Sequence, residues 1–144
     1  TPEGDFVDKE GNYIGRHKGI IHYTIGQRRG LGIPAASRLY VCEISPKTNT
    51  VVLGDNADLF SSELEADSVN LISVDNLSEP KRVTAKIRYR HKEQPATAWQ
   101  TPDGILHVKF DEPQRAITKG QAVVMYDGDE VVGGGVINKI YSQS

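Results

Sequence analysis

The chain has one cysteine, Cys42, in 144 residues, so no disulfide can form within it. A lone thiol fits a reducing, cytoplasmic setting. No apolar run approaches the roughly 20 residues of a membrane-spanning helix, and no basic start followed by an apolar stretch resembles a secretory signal. No initiator Met opens the chain; the start at Thr1-Pro2 suggests a mature form or an excised segment. The histidines are His17, His22, His91 and His107, and with one cysteine and no His-x-x-x-His spacing they meet no zinc template. Phosphate loops are missing as well. Gly30-Leu31-Gly32 does not extend to a dinucleotide fingerprint, and the Gly15 to Gly19 stretch lacks the Gly-Lys-Ser/Thr ending. Asp111 and Glu112 flank a Pro-Gln turn, and nothing marks them as an acid/base pair.

What is present is globular in character, with 38% hydrophobic and 25% charged residues. The net charge of -2 hides a segregation. Residues 11–42 hold Arg16, Lys18, Arg28, Arg29 and Arg38 and no acid. Residues 81–92 hold Lys81, Arg82, Lys86, Arg88, Arg90 and Lys92, again with no acid. Attraction to phosphate follows local potential rather than net charge, so two such tracts are a candidate footprint for a polyanion. A solvated surface balanced by neighbours in space is the plain alternative, and charge alone does not choose between them.

Gly and Pro recur at short intervals with β-branched or aromatic runs between them, which predicts a mostly β protein. Strands are expected at Arg38 to Ile44 and Thr50 to Leu53, joined by a hairpin loop at 45–49, and another at Ser68 to Val74. Thr24 could cap a single helical turn through Gln27 and Arg28. Residues 75–80 are polar, end in Pro80 and read as a linker, giving a small central β-rich domain at 1–75 and a second domain at 76–144. In the second domain residues 82–90 alternate with period two. Val83, Ala85, Ile87 and Tyr89 fall on a core-like face, and Arg82, Thr84, Lys86, Arg88 and Arg90 on an almost wholly cationic one. Further strands are expected at Pro95 to Gln100, Leu106 to Phe110, Ala122 to Tyr126 and Val131 to Ile137, the last two joined by the hairpin signal Asp127-Gly128-Asp129-Glu130. Six or so short strands suggest a small β-barrel. Gly133-Gly134-Gly135 inside a strand suggests a bulge or close backbone approach.

Period two sets Cys42 with Tyr40 and Ile44 and opposite Glu43, which reads as the buried side of a strand and a structural thiol. Arg88-Tyr89-Arg90 joins guanidinium groups to an aromatic ring, a combination suited to phosphate and to unpaired RNA bases. The bland reading is a cationic strand face that discourages edge aggregation.

The block from His17 to Ile33, HKGIIHYTIGQRRGLGI, resembles the signature of the tRNA-specific 2-thiouridylases, the MnmA (TrmU) family. The similarity continues through Leu39-Tyr40-Val41, Asn49 to Gly54, Lys86 to Arg90, Val108 to Thr118, Gly120 to Tyr126 and Gly133 to Ile137. It spans nearly the whole chain in collinear order. The resemblance implies a tRNA-uridine 2-sulfurtransferase. In that reaction ATP, with Mg2+, activates the C2 oxygen of the wobble uridine, and a cysteine persulfide, charged by a sulfur-donor protein, supplies sulfur. It also implies a C-terminal six-stranded, translation-factor-like β-barrel. The family's phosphate loop and catalytic cysteines precede the matching block. The implied ATP site and catalytic residues are therefore expected outside this chain, in a missing N-terminal domain, and Cys42 inherits no catalytic role. Carried over by motif, the implied tRNA contacts are Arg88, Tyr89 and Gln121, with Lys18, Gln27 and Arg28 as weaker candidates; for Gln27 a structural turn is an equal reading. The implied partners are tRNA and a persulfide carrier, with no membrane. A platform for the sulfur carrier and a translation-factor-like RNA-binding barrel are the alternatives.

Overall fold

The structure, a computed structural model, describes residues 2–36 and 38–142; Thr1, Ser37, Gln143 and Ser144 lie outside the described residues. It divides into two compact units at Phe60/Ser61. Among the described residues no helix is long and apolar enough to cross a membrane.

The first unit is built on four strands: β1 (Gly4–Val7), β2 (Tyr13–His17), β3 (Tyr40–Ser45) and β4 (Thr50–Gly54), in the order β2-β1-β4-β3. β1 lies parallel to β4 and antiparallel to β2. Phe6, Val41, Val51 and Leu53 form the sheet's share of the core, and Tyr23, Leu31 and Ala36 close it from the long connection between β2 and β3. That connection carries short 3-10 turns at Ile20–His22 and Pro34–Ala36. The turn expected after Thr24 is a single one, closed by Gln27 N–H donating to the Thr24 carbonyl at 3.0 Å, and it does not continue as a helix. Beyond it Gly26 N–H donates to the Val41 carbonyl at 2.8 Å and Val41 N–H donates to the Gln27 carbonyl at 2.9 Å. The loop thereby covers the edge of β3, where unpaired backbone groups would otherwise invite association.

Cys42 corrects the period-two reading. The pairing of β3 with β4 shifts between Val41 and Glu43, so one extra residue changes the parity of the strand. Val41 becomes the buried residue and Cys42 is only half-buried.

The second unit is a closed barrel of six strands: β5 (Phe60–Leu71), β6 (Lys81–Lys86), β7 (Gln94–Gln100), β8 (Leu106–Arg115), β9 (Ala122–Asp127) and β10 (Glu130–Ile140), in the order β10-β5-β8-β7-β6-β9. Closure leaves no free sheet edge. Leu64, Val83, Ala85, Leu106, Val108, Phe110, Met125 and Ile137 fill its interior. Two expectations change here. The strand placed at Ser68 to Val74 begins at Phe60, so the boundary between the units lies well before residue 75. Residues 75–80 are not a linker between units. Leu77 is 2% exposed in the barrel core, and its carbonyl accepts the Gln100 N–H at 2.8 Å. One leucine in a polar run was the signal that this segment is anchored.

The glycine triplet does permit close approach. A Cβ on Gly134 would sit 2.1 Å from the Val123 carbonyl oxygen, and one on Gly133 would sit 2.4 Å from that of Asn70. Only bare backbone passes between β5 and β9 at this point.

Candidate nucleic-acid interface

The strand expected at 82–90 ends at Lys86. Val83, Ala85 and Ile87 do point inward, but the chain then turns, with the His91 N–H donating to the Arg88 carbonyl at 3.1 Å. Tyr89 sits on that turn and is 93% exposed, so the core-like position that period two assigned to it is overturned.

The cationic strand face is also not bare. Arg82 forms a two-pronged pair with Asp111, with Nη1 to Oδ1 at 2.8 Å and Nη2 to Oδ2 at 2.7 Å. Its guanidinium holds the Asp111 carboxyl below the usual carboxylate range. Thr84 donates its hydroxyl to Glu93 at 2.8 Å, and the Lys86 ammonium lies 5.7 Å from the centre of the Tyr126 ring.

Arg88 turns back onto the barrel. Its Nη1 donates to the Arg115 carbonyl at 3.0 Å and its Nη2 to the Ala116 carbonyl. Burial, and then the charge of Arg115, push its pKa below the ordinary arginine value. These bonds join the β6–β7 connection, residues 87–93, to the last residue of β8 and the β8–β9 connection, residues 116–121. Gln121 closes that second connection: it is exposed, its N–H donates to the Thr118 carbonyl at 3.3 Å, and its own carbonyl accepts from Ile137 at 2.9 Å. β6 pairs with β9 through Thr84↔Tyr126, Ala85↔Met125 and Lys86↔Val124. The β6–β7 connection leaves this ladder after Lys86, and the β8–β9 connection enters it just before Val124, at the same end. The barrel therefore brings Arg88, Tyr89 and Gln121 to one end.

Charge follows the same geometry. At this end the two connections and the close of β8 carry Arg88, Arg90, Lys92, Arg115 and Lys119 against Glu93, while the start of β5 adds Glu63 and Glu65 and the close of β10 adds Lys139. The stretches at the opposite end, residues 72–80, 101–105 and 127–130, carry Asp75, Glu79, Asp103, Asp127, Asp129 and Glu130, with Lys81 at the adjoining start of β6 paired to Asp127 at 2.9 Å. Sequence reading missed this polarity because the residues at each end are scattered along the chain and gathered only by antiparallel closure. It also missed Ala116, a non-glycine residue at φ 58, for which alanine gives no local signal.

In the first unit Arg16 is paired with Asp5 at 2.9 Å. Lys18 and Arg28 are exposed, and Arg28 lies 5.7 Å from the centre of the Tyr40 ring. Gln27 spends its amide inside the loop: Oε1 accepts the Thr24 N–H at 3.0 Å, and Nε2 donates to the Arg29 carbonyl at 2.9 Å. This is the geometry of a structural turn. His17 is fully buried, with Nε2 against the Asn49 carbonyl at 2.8 Å and Nδ1 accepting the Gly19 N–H at 3.0 Å. Both ring nitrogens are thus occupied. The Cys42 thiol is pushed up to about 11 by burial and by Asp58 and Asp55, the opposite of what a nucleophilic thiolate requires.

A family model described as the aminomethyltransferase β-barrel domain matches residues 61–137, and one described as the tRNA methyl transferase PRC-barrel domain matches residues 1–55. A tRNA-specific 2-thiouridylase MnmA of Clostridioides difficile (strain 630) is 60% identical over 137 residues, which is 95% of this chain and 38% of the relative. The protein of the same description from Acetivibrio thermocellus is 57% identical over 93% of this chain and 37% of its own length. That from Clostridium acetobutylicum is 54% identical over 93% of this chain and 38% of its own length. The chain thus spans well under half the length of the curated relatives it matches.

Proposed function

Because the chain belongs to the tRNA-specific 2-thiouridylase family, we propose that it is the part of such an enzyme that grips tRNA. The observation that carries this reading is the basic end of the barrel, where an exposed Tyr89 ring stands among Arg88, Arg90, Lys92, Arg115 and Lys119. An aromatic face within a cationic rim suits an unpaired base flanked by phosphates. On this reading Tyr89 stacks on a base, Gln121 offers its side-chain amide beside it, and the surrounding cations meet the backbone. For the first unit, taken by itself, Lys18 and Arg28 are the weaker tRNA-contact candidates, and Gln27 shapes the loop that presents them.

ATP-dependent 2-thiolation of a wobble uridine, with a protein sulfur donor, is the activity we assign to the whole enzyme. The described residues of this chain do not fit ATP. Their helices are 3-10 turns of three or four residues, too short to present the aligned N–H groups of a phosphate site. Cys42, with its thiol pushed up to about 11, does not fit the sulfur-bearing role.

The test is titration of the full-length protein with tRNA at rising salt. The affinity should fall linearly on a log–log plot with a slope of roughly three to four, as release of ions from several phosphates requires. A folded protein that fails to bind tRNA at low salt overturns the reading. One observation favours a second reading, a platform for the sulfur carrier: the acidic end of the barrel also exposes Ile72, 64% accessible. A pull-down with persulfide-carrying proteins that is lost on Asp129→Lys or Glu130→Lys would support it.

A further inference from the structure

We propose that Gly120 is a positioning residue: its left-handed backbone turns Gln121 out at the basic end of the barrel and holds the side-chain amide there to meet tRNA. The inference rests on the tRNA-gripping reading above and adds to it the residue that fixes one of its contacts.

Glycine is demanded in two situations, where a Cβ finds no room and where φ is positive. Gly134 meets the first, with the Val123 carbonyl oxygen 2.1 Å from where its Cβ would sit. Gly120 meets the second: a Cβ there would find nothing within 4 Å, and its φ is 87. It is the third residue of a turn running from Thr118 to Gln121, closed by the Gln121 N–H donating to the Thr118 carbonyl at 3.3 Å. A positive φ at the third position, with none at Lys119 before it, is what a type II turn asks for.

The turn is anchored on both sides. Before it, Ala116 and Ile117 are buried, and the Thr118 hydroxyl donates to the Ala116 carbonyl at 2.9 Å. After it, two backbone bonds clasp Ile137 of β10. The Gly120 N–H donates to the Ile137 carbonyl at 2.8 Å, and the Ile137 N–H donates to the Gln121 carbonyl at 2.9 Å. Ile137 is itself 1% exposed in the barrel core. These bonds extend the β9–β10 ladder past its last pair, Ala122 with Val136. The peptide between Gly120 and Gln121 is thereby fixed to the barrel wall.

The side chain stays available. Gln121 is exposed, and among the described residues its amide has no hydrogen-bond partner. Gln27 is the contrast, with its amide bonded to Thr24 and Arg29 inside its own loop. A free amide on a fixed backbone is preorganised, because only its own rotamers are ordered when it meets RNA. Alanine at position 120 must either hold a disfavoured backbone or let the turn relax, and a relaxed turn swings the Gln121 amide away.

The experiment measures tRNA binding by the full-length protein across a salt series for Gly120→Ala, Gly120→Asn, Gln121→Ala and the double variant Gly120→Ala/Gln121→Ala. Gly120→Ala and Gln121→Ala are each expected to weaken binding by about fivefold, the effect of one hydrogen-bonding group. Asparagine enters the left-handed region more readily than alanine, so Gly120→Asn should restore binding to within about twofold of wild type. In the Gln121→Ala background, Gly120→Ala should add less than about twofold, because its effect passes through that amide. The salt slope should stay at the wild-type value, since no cation is removed.

Four results overturn the inference. They are wild-type affinity in Gly120→Ala or in Gln121→Ala; a loss in Gly120→Asn as large as in Gly120→Ala; an equal loss in both backgrounds, as general loosening of the loop would give; and a slope lowered by about one in Gly120→Ala, which would move its effect to a cation such as Lys119. If the wild-type protein binds tRNA and one of these is seen, only the positioning role fails. If it does not bind, the gripping reading fails and the positioning role falls with it.

Discussion

His17 and Asn49, thirty-two positions apart, are joined by a hydrogen bond of 2.8 Å from the buried imidazole Nε2 to the backbone carbonyl. Asn49 sits at φ 54 at the tip of the β3–β4 hairpin, and its side-chain amide donates to the Glu3 carbonyl at 2.9 Å. The ring of His17 meets Phe6 and Tyr23 edge-on, with centres 5.8 Å away in each case. One histidine thus ties β2, the hairpin and the loop to a single core. His17→Ala should destabilise the protein by about 3 kcal/mol, from lost packing and from buried groups left unpaired. Denaturant unfolding checks this, and a change under 1 kcal/mol would refute it.

The glycine triplet predicts a steep contrast between neighbouring kinds of glycine. Gly134→Ala would press its Cβ against the Val123 carbonyl at 2.1 Å, and backbone there can yield only by opening the ladder between β9 and β10. Gly120→Ala meets open space and suffers only from its φ of 87. The first substitution should cost several kcal/mol or prevent folding; the second should cost about 1 kcal/mol. Paired thermal melts would settle the order, and equal shifts would contradict it.

Leu77 supplies a third expectation. Truncation to Ala should cost about 2–5 kcal/mol, the range for a large aliphatic side chain removed from a packed core. Limited proteolysis should leave residues 75–80 uncut in the native protein and open them in the variant. Ready cleavage of the wild-type chain there would return the segment to the status of a linker.

The Cys42 thiol should titrate near 11 and not near its ordinary value of 9.0. The sign follows from burial and from the carboxylates of Asp58 and Asp55, which disfavour a further negative charge. The unfolded chain ionises first as pH rises, so this group's contribution to stability is intact below about 9 and is lost between about 9 and about 11. Thiolate absorbance in the ultraviolet reads the titration, and a midpoint at or below 9 would refute the assignment.

Period two was legible where side chains alternate cleanly: Val83, Ala85 and Ile87 point inward as the pattern requires. It failed at Tyr89 because the backbone leaves the ladder after Lys86 while the residue types keep alternating. It failed at Cys42 because one extra residue between Val41 and Glu43 changes the parity of the strand. β5 was read too late because its inward positions include Ser61 and Ala66, small residues with little strand signature. Arg88 and Tyr89 stood out as guanidinium beside aromatic ring, whereas Gln121 was identifiable only through the family motif. That they occupy one end of one barrel follows from closure, which joins positions thirty and more residues apart and leaves no local trace.

A barrel whose connections carry mostly cations at one end and mostly carboxylates at the other is an electric dipole. A polyanion turns such a body before touching it, because the torque acts over the screening length of about 8–10 Å while contact forces do not. Encounters then arrive with the Tyr89 end already leading, and fewer are wasted on the wrong face. The acidic loops, which touch no nucleic acid on this view, still contribute to the rate of capture. Neutralising them should slow association while leaving the dissociation rate nearly unchanged.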